Sequence, residues 1–282
     1  MLTLEQAIDQ PIHNFNDEKI MGIFSGEGSV IIYTNAAAYI LDKGLQIQDR
    51  KPLPSSIPMQ EAVELTFNRD ISKVAYSLED GIYLCDMAEN AQPVLLQKHP
   101  QKDSIVEQEY LYPVRFLDSD RLFVGVGMWE CSAGYYLILD FDGNTREKVP
   151  FFVSGEHSGG YIFHNQAEVI HFYEGGSYYN FANEKLEPAS WLAIQYGGLA
   201  RCIADPSNPH IWYFSLPQGK WNNTEKTIFV LADTQKRTLT DLPFSVIGAN
   251  ATLLSADDDG NLLFMYAYKG EHSFGVYQAV AD

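Results

Sequence analysis

Three histidines recur at a spacing of seven residues: His157, His164 and His171. Imidazole is the most common metal ligand in proteins, so this spacing raises the question of a metal site. The local pattern predicts His157 in a loop, His164 at the end of a strand and His171 within the next strand. Because at most two of the three rings can then approach each other, we predict structural histidines and no metal site.

Two short runs resemble the motifs of known functional sites, but each lacks residues that the motif requires. The run from His157 to Gly160 contains a serine among glycines, but position 156 is Glu where the G-x-S-x-G turn of serine hydrolases needs glycine. The run Asp257-Asp258-Asp259-Gly260 lacks the spaced acids and closing glutamate of an EF-hand loop, so a solvated turn explains it better. We therefore assign no catalytic residue, no metal and no cofactor.

Three charged residues fall in segments predicted to form the innermost strands of their sheets: Glu64, Arg115 and Arg201. Guanidinium groups bind anions through paired hydrogen bonds, so an anionic small molecule is one interpretation. The other is that the arginines pair with acids such as Glu64 to hold the structure together. We expect all three to line a central channel.

The remaining candidates are aromatic, acidic and histidine side chains in predicted connections. The longest connections span residues 125–134 and 216–225, and a shorter one spans 269–272; links between repeats include residues 99–110. Tyr, Trp and Met are enriched at protein interfaces, where nearby charges select the partner. The residues predicted to bind a partner are Met128, Trp129, Glu130, Glu156, His157, Trp191, Tyr196, Trp221, Glu271 and His272. The alternative is that the tryptophans fold back over their own sheets.

A repeat of strands must position these residues. A short apolar run that ends in an acid or its amide and leads into turn residues occurs five times, which indicates a strand followed by a hairpin. The five runs end at Asp42, Asp86, Asp140, Asn183 and Asp233. Upstream of most of them, a polar turn leads into a β-branched or aromatic run. Each repeat therefore predicts four antiparallel strands.

Sheets of four strands cannot bury both faces alone, so neighbouring copies of 40 to 55 residues are expected to stack around a ring. Residues 65–70, 73–77 and 81–86 resemble a blade of the TolB or WD40-like β-propeller superfamily. The resemblance implies an all-β propeller of about six four-stranded blades, with five or seven as alternatives. It does not imply a function, because propellers host unrelated activities.

The expected organisation is a single domain over residues 1–282. Inner strands are predicted near residues 20–25, 62–67, 112–116, 158–163, 199–205 and 251–256. The pattern gives the last blade no outer strand of its own, so we expect the N-terminal segment, around residues 12–15, to supply that strand. A capping pattern at Thr3 and Gln6 predicts a short helix before that segment.

Charge restricts the choice of partners. With 19 Lys and Arg against 37 Asp and Glu, the net charge is −18. Such a chain repels the phosphates of nucleic acids and the anionic head groups of membranes, and it attracts cationic partners. We expect no nucleic-acid or membrane partner. Solubility alone would also explain an acidic chain.

Three separated cysteines without a CxxC pair predict reduced thiols, and the N-terminus has no secretory signal pattern. The expected location is the cytoplasm. The expected function is non-enzymatic binding of a cationic protein, as in an immunity or antitoxin-like protein that neutralises a basic toxin. The alternative is a hydrolase or lyase that uses His157, His272, Glu130 and Arg115, since propeller enzymes draw catalytic groups from several blades.

Overall fold

The computed structural model describes most of the chain. The described residues are 10–11, 18, 20–25, 30–42, 46–100, 109–117, 119–128, 131–149, 161–164, 168–173, 177–180, 185–188, 191, 201–205, 207–208, 210–220, 223–247, 251–256, 262–268 and 271–277. Within these ranges the regular structure is β, with no α-helix and so no helix that could cross a membrane. The helix expected at Thr3 to Gln6 lies outside these ranges.

Six four-stranded antiparallel sheets account for the strands of the described residues, which confirms the predicted fold class. The first sheet contains β2 (Ile20–Ser25), β3 (Val30–Thr34), β4 (Ala37–Leu41) and β5 (Ile47–Pro52). The second contains β6 (Val63–Phe67), β7 (Lys73–Leu78), β8 (Gly81–Asp86) and β9 (Val94–Lys98). The third contains β10 (Glu109–Phe116), β11 (Arg121–Met128), β12 (Cys131–Asp140) and β13 (Thr145–Val149).

The other three sheets follow the same plan. The fourth contains β14 (Tyr161–His164), β15 (Glu168–Tyr173), β16 (Ser177–Asn180) and β17 (Lys185–Pro188). The fifth contains β18 (Arg201–Ala204), β19 (Ile211–Lys220), β20 (Asn223–Asp233) and β21 (Thr238–Ile247). The sixth contains β22 (Ala251–Ala256), β23 (Leu262–Tyr268), β24 (Glu271–Tyr277) and, from the start of the chain, β1 (Gln10–Pro11), which pairs with β24.

The chain divides into two compact units. The N-terminal unit comprises Glu18–Phe24 and Ile31–Glu156, and the C-terminal unit comprises His157–Asp282 with Met1–Asp17 and Ser25–Val30. The first three sheets belong essentially to the N-terminal unit, and the last three to the C-terminal unit.

The second sheet of the N-terminal unit is buried on both faces. Val74 and Tyr76 of β7 pack toward the first sheet, in a cluster with Ile31 and Phe67. Ala75, between them, packs toward the third sheet with residues such as Val124. Alternate side chains of a strand point to opposite faces, so one apolar strand supplies two cores. In the C-terminal unit, Phe229, Phe244 and Phe264 stack between the fifth and sixth sheets.

The acids that end the repeated apolar runs have a structural task. Asp42, Asp140 and Asp233 each lie at the end of a third strand, and their carboxylates accept backbone N–H groups of the next turn, from Gln46, Asn144 and Lys236 at 2.7 to 2.9 Å. A side-chain acceptor of this kind satisfies turn N–H groups that no strand would pair. Part of the negative charge of the chain therefore stabilises hairpins.

Candidate functional site

The six residues Trp129, Glu130, Glu156, His157, Tyr196 and Trp221 lie outside the described residues. Of the others, Met128 ends β11, Trp191 is half-buried, and Glu271 and His272 open β24. Their role in binding a partner stays a prediction.

The connections 125–134 and 216–225 are shorter than the sequence indicated. Strands β11 and β12 continue to Met128 and from Cys131, and β19 and β20 continue to Lys220 and from Asn223, so two residues separate the strands of each hairpin. Gly219 pairs with Thr224 across a register shift. Glycine and proline suggested loops, but a hairpin that extends past its sheet tolerates both residues.

The predicted channel residues lie at different levels of their strands. Glu64 is the second residue of β6 and is exposed, whereas Arg115 is the seventh of β10 and is partly buried. The Ser77 hydroxyl, opposite Val63, donates to the Leu111 carbonyl, so Arg115 lies four residues, or about 13 Å of strand, beyond that level. Arg201 is the first residue of β18. Whether these residues line a channel stays a prediction.

Three exposed apolar side chains occur near the start of the first strands of three successive sheets. They are Met21 in β2, Val63 in β6 and Tyr110 in β10, exposed by 42%, 56% and 38%. Strands alternate in direction within each sheet, so the first strands begin at the end where second and third strands connect. We call this end of the first three sheets the rim. Exposed large apolar groups on neighbouring elements make this end a candidate for contact with another molecule.

The charges beside these apolar groups are mainly carboxylates. Glu61 precedes Val63, Glu64 follows it, and Glu79 lies in the turn between β7 and β8 at the same end. All three side chains are exposed, and among the described residues none of them forms an ion pair. The cations at this end include Lys98, which pairs with Gly81, together with Arg50 and Lys148, which lie beside Glu18 and Tyr135. We define the rim surface as Met21, Glu61, Val63, Glu64, Glu79 and Tyr110.

A bulge in β6 exposes Val63 and Glu64 together. Val63 pairs with Ser77 and Thr66 with Ala75, so β6 contains one more residue than β7 over this stretch. Glu64 has a φ of 53°, in the left-handed region that non-glycine residues rarely adopt. In a regular strand one of two neighbouring side chains would face inward. Here both are exposed, and burial starts at Leu65.

The Glu64 carboxylate also affects the first sheet. Burial of the phenol, followed by the nearby charge of Glu64, raises the pKa of Tyr33 in β3. The Tyr33 ring lies against Gly22 of β2, where a Cβ atom would collide with it, and is tilted on Phe67 at 5.5 Å. Glu64 therefore lies close to the packed contact between the first and second sheets.

Other carboxylates at the rim are held by tyrosines of third strands. The Tyr39 hydroxyl donates to Glu18 at 2.6 Å, and Arg50 forms an ion pair with the same carboxylate at 3.2 Å. The hydrogen bond from Tyr39 is the main cause that lowers the pKa of Glu18. These groups join the segment before β2 to β4 and β5.

The third sheet repeats this arrangement. The Tyr135 hydroxyl donates to Glu109 at 3.0 Å, and the Lys148 ammonium lies 3.7 Å from the centre of the Tyr135 ring. Burial, then the bond to Glu109, raises the pKa of Tyr135 to about 12. In the second sheet Tyr83 donates to Asp80 at 2.8 Å. Glu18, Asp80 and Glu109 are therefore bound within the chain, in contrast to Glu61, Glu64 and Glu79.

His99 serves as a structural link at the rim and does not offer a free ligand atom. The Leu111 N–H donates to its Nδ1 at 3.0 Å, so Nε2 carries the proton and donates to the Leu78 carbonyl at 2.8 Å. The ring is 3% exposed and contacts Tyr110 edge to face. His99 thus joins the second and third sheets beneath Tyr110. No group of three His, Cys, Asp or Glu side chains that could hold a metal occurs in the part of the chain that the structure describes.

Sequence reasoning found part of this surface. Tyr110 ends the link 99–110 that the sequence singled out, and Glu64 was expected in an inner strand. Met21 and Val63 were missed, because an apolar residue in a predicted strand is normally assigned to the core. The signal for Val63 is its position between Glu61 and Glu64 at the start of a strand.

Comparison with solved structures identifies the class of protein. The chain is similar to a putative TolB from Agrobacterium tumefaciens, at 12% identity and a TM-score of 0.57, over 94% of this chain and 91% of that one. It is similar to Kluyveromyces lactis Hsv2, at 12% identity and a TM-score of 0.53, over 94% of this chain and 75% of that one. A looser likeness, with 11% identity and a TM-score of 0.45 over 93% and 76% of the two chains, is to the WD40 domain of Neurospora crassa Pan2.

The six four-stranded sheets and the first two of these likenesses show the fold of a β-propeller with four-stranded blades, as the sequence predicted. At these identities the likeness concerns the fold alone. No protein-family model matches the chain, and no curated protein matches it in sequence.

Proposed function

We propose that this propeller is a non-enzymatic binding protein whose rim surface binds a basic protein. The observation that supports it is the combination of exposed Met21, Val63 and Tyr110 with the exposed carboxylates Glu61, Glu64 and Glu79, which form no ion pair within the described part of the chain. Apolar anchors beside charges of one sign are typical of surfaces that bind a protein of the opposite charge.

The net charge of −18 supports the same partner class. It speeds association with a cationic protein and disfavours contact with phosphate-rich surfaces of nucleic acids or membranes. A specific form of the proposal is an immunity-like protein that neutralises a basic toxin in the cytoplasm. The residues predicted from the sequence, from Met128 to His272, stay separate candidates for contact with a partner.

The test is capture of proteins from the native host on immobilised chain, at about 50 mM and about 500 mM salt, where screening of surface charges differs strongly. The variant Met21→Ser/Val63→Ser/Tyr110→Ser removes the apolar anchors. The matched control is Ile47→Ser/Val94→Ser, since these two side chains are 53% and 59% exposed on the outer strands β5 and β9.

We expect a basic protein to be retained by the wild type and the control at low salt, and to be lost from the rim variant. Retention of the same proteins by all three chains would contradict the proposal. So would the absence of any specifically retained protein at low salt.

A further inference from the structure

The bulge at Val63 and Glu64 suggests which groups of the partner meet the rim surface. We infer that it binds a lysine or arginine side chain that stands next to an apolar side chain on the partner; this inference rests on the proposed function.

The first reason is the conformation of β6. A left-handed φ of 53° is a conformation that glutamate rarely adopts, and such outliers persist where the surroundings impose them, often at binding sites. Bulges commonly redirect a side chain next to functional sites. Here the result is an apolar and a carboxylate side chain exposed side by side, Val63 and Glu64.

The second reason is that these groups lack partners of their own within the described residues. Glu18, Asp80 and Glu109 at the rim accept hydrogen bonds from tyrosines, but Glu64 forms no ion pair there. Val63 is 56% exposed and lies outside the cluster that buries Leu65 and Phe67. The complement of an exposed carboxylate beside an exposed apolar group is a cation beside an apolar group.

A comparison within the chain provides the control. Ile47 and Asp49 are an exposed apolar and an exposed acidic residue on the outer strand β5, two positions apart at a register shift between β4 and β5. They offer the same two chemical groups without a left-handed residue at either position and without the neighbouring apolar groups of the rim surface. Binding that depends only on composition would use both pairs equally.

The experiment measures binding of three fluorescein-labelled peptides by anisotropy. In the first peptide lysine and leucine are neighbours, separated from the next such pair by glycine and serine; in the second, leucine is replaced by serine, and in the third, lysine is replaced by glutamate. The protein variants are Glu64→Gln, Val63→Ser, Glu64→Gly and the control Ile47→Ser/Asp49→Asn.

We expect the lysine-leucine peptide to bind at least about 5-fold more tightly than the other two, and both Glu64→Gln and Val63→Ser to weaken it about 5- to 10-fold. The control variant should bind like the wild type. Glu64→Gly should also weaken binding, with a melting temperature equal to or about 1–3 °C above that of the wild type, because glycine adopts this φ without strain.

Equal binding of the three peptides, or unchanged binding by Glu64→Gln, would overturn the inference. An equal loss of binding in the Ile47→Ser/Asp49→Asn control would overturn it as well. If a captured host protein requires Met21, Val63 and Tyr110 but ignores Glu64→Gln, the inference fails while the proposed function stands. If no host protein is captured but the peptide depends on the bulge, the proposed function alone fails.

Discussion

At the scale of single residues, the carboxylates of this acidic chain divide into two groups. One group is bound internally, either to turn N–H groups, as at Asp140, or to tyrosine hydroxyls, as at Glu18 and Glu109. The other group, represented by Glu61, Glu64 and Glu79, is exposed at the rim. The net charge of −18 therefore combines a structural and an exposed component, and only the exposed component is available to a partner.

Asp205 is a strong case of the first group. Its carboxylate accepts the backbone N–H groups of Ser207 and Asn208 at 2.9 and 3.0 Å, and the hydroxyl of the buried Tyr213 at 3.0 Å. We expect Asp205→Ala to lower the free energy of unfolding by about 2–3 kcal/mol, because it leaves these donors unsatisfied. Urea denaturation measures the change. The control is Asp241→Ala on the exposed part of β21, where a change within about 0.5 kcal/mol is expected; similar losses in both variants would contradict the assignment.

Because of the tyrosines that donate to carboxylates, we expect the free energy of unfolding to fall at alkaline pH. Burial and the bonds to Glu18 and Glu109 raise the pKa values of Tyr39 and Tyr135 above the ordinary 10.0, that of Tyr135 to about 12. Between pH 10 and pH 12 the folded chain holds more protons than the unfolded chain. The contribution of these tyrosines to the free energy of unfolding is therefore fully present below pH 10 and is lost as the pH rises toward 12.

The variant Tyr135→Phe should lose part of this dependence. It removes one proton that the folded chain retains above pH 10, so the free energy of unfolding should fall less steeply between pH 10 and pH 12 than in the wild type. Denaturation with urea at several pH values measures the slope. A slope as steep as that of the wild type would show that Tyr135 titrates as in an unfolded chain.

At the scale of elements, the hairpins are fitted closely to the neighbouring sheets. Gly143, in the turn between β12 and β13, has a φ of 83°, and a Cβ atom there would collide with the Leu96 carbonyl oxygen of β9. The turn thus packs against the backbone of the second sheet. Both the conformation and the contact require glycine at this position.

We expect Gly143→Ala to lower the free energy of unfolding by about 2–4 kcal/mol, through backbone strain and displacement of the turn. Gly127→Ala is the matched control in the same sheet, because its Cβ atom would meet Tyr112 at an ordinary contact distance of 3.6 Å. It should change stability by less than about 1 kcal/mol. Thermal and urea unfolding measure both; an effect of Gly127→Ala equal to that of Gly143→Ala would contradict the packing argument.

At the scale of the whole molecule, the excess of acids should oppose folding when salt is low. Charges of one sign repel each other more in the compact state than in the unfolded chain, and salt screens this repulsion over about 10 Å at 0.1 M. With a net charge of −18, we expect the melting temperature to rise by about 3–6 °C between about 20 mM and about 500 mM NaCl. Calorimetry in NaCl and in KCl measures it; a fall, or a rise in only one of the two salts, would contradict screening as the cause.

The sequence by itself determined the blades. Alternating apolar runs, together with acids that end third strands, located hairpins such as those at Asp140 and Asp233, because strand periodicity and turn capping are local properties of the chain. The inner strands predicted near 20–25, 62–67 and 251–256 coincide with β2, β6 and β22 within a residue. The sequence also indicated the chemical character of the surface, through its charge and aromatic content.

Only the tertiary structure decided which of these residues are available to a partner. Val63 and Glu64 are both exposed because a one-residue register shift between β6 and β7 breaks the alternation, and register depends on a pairing between strands that composition does not reveal. The same is true of His99, whose two ring nitrogens are occupied by the backbone of Leu78 and Leu111. Local patterns fix strands and turns, whereas exposure and hydrogen-bond partners result from contacts between segments that are distant in the chain.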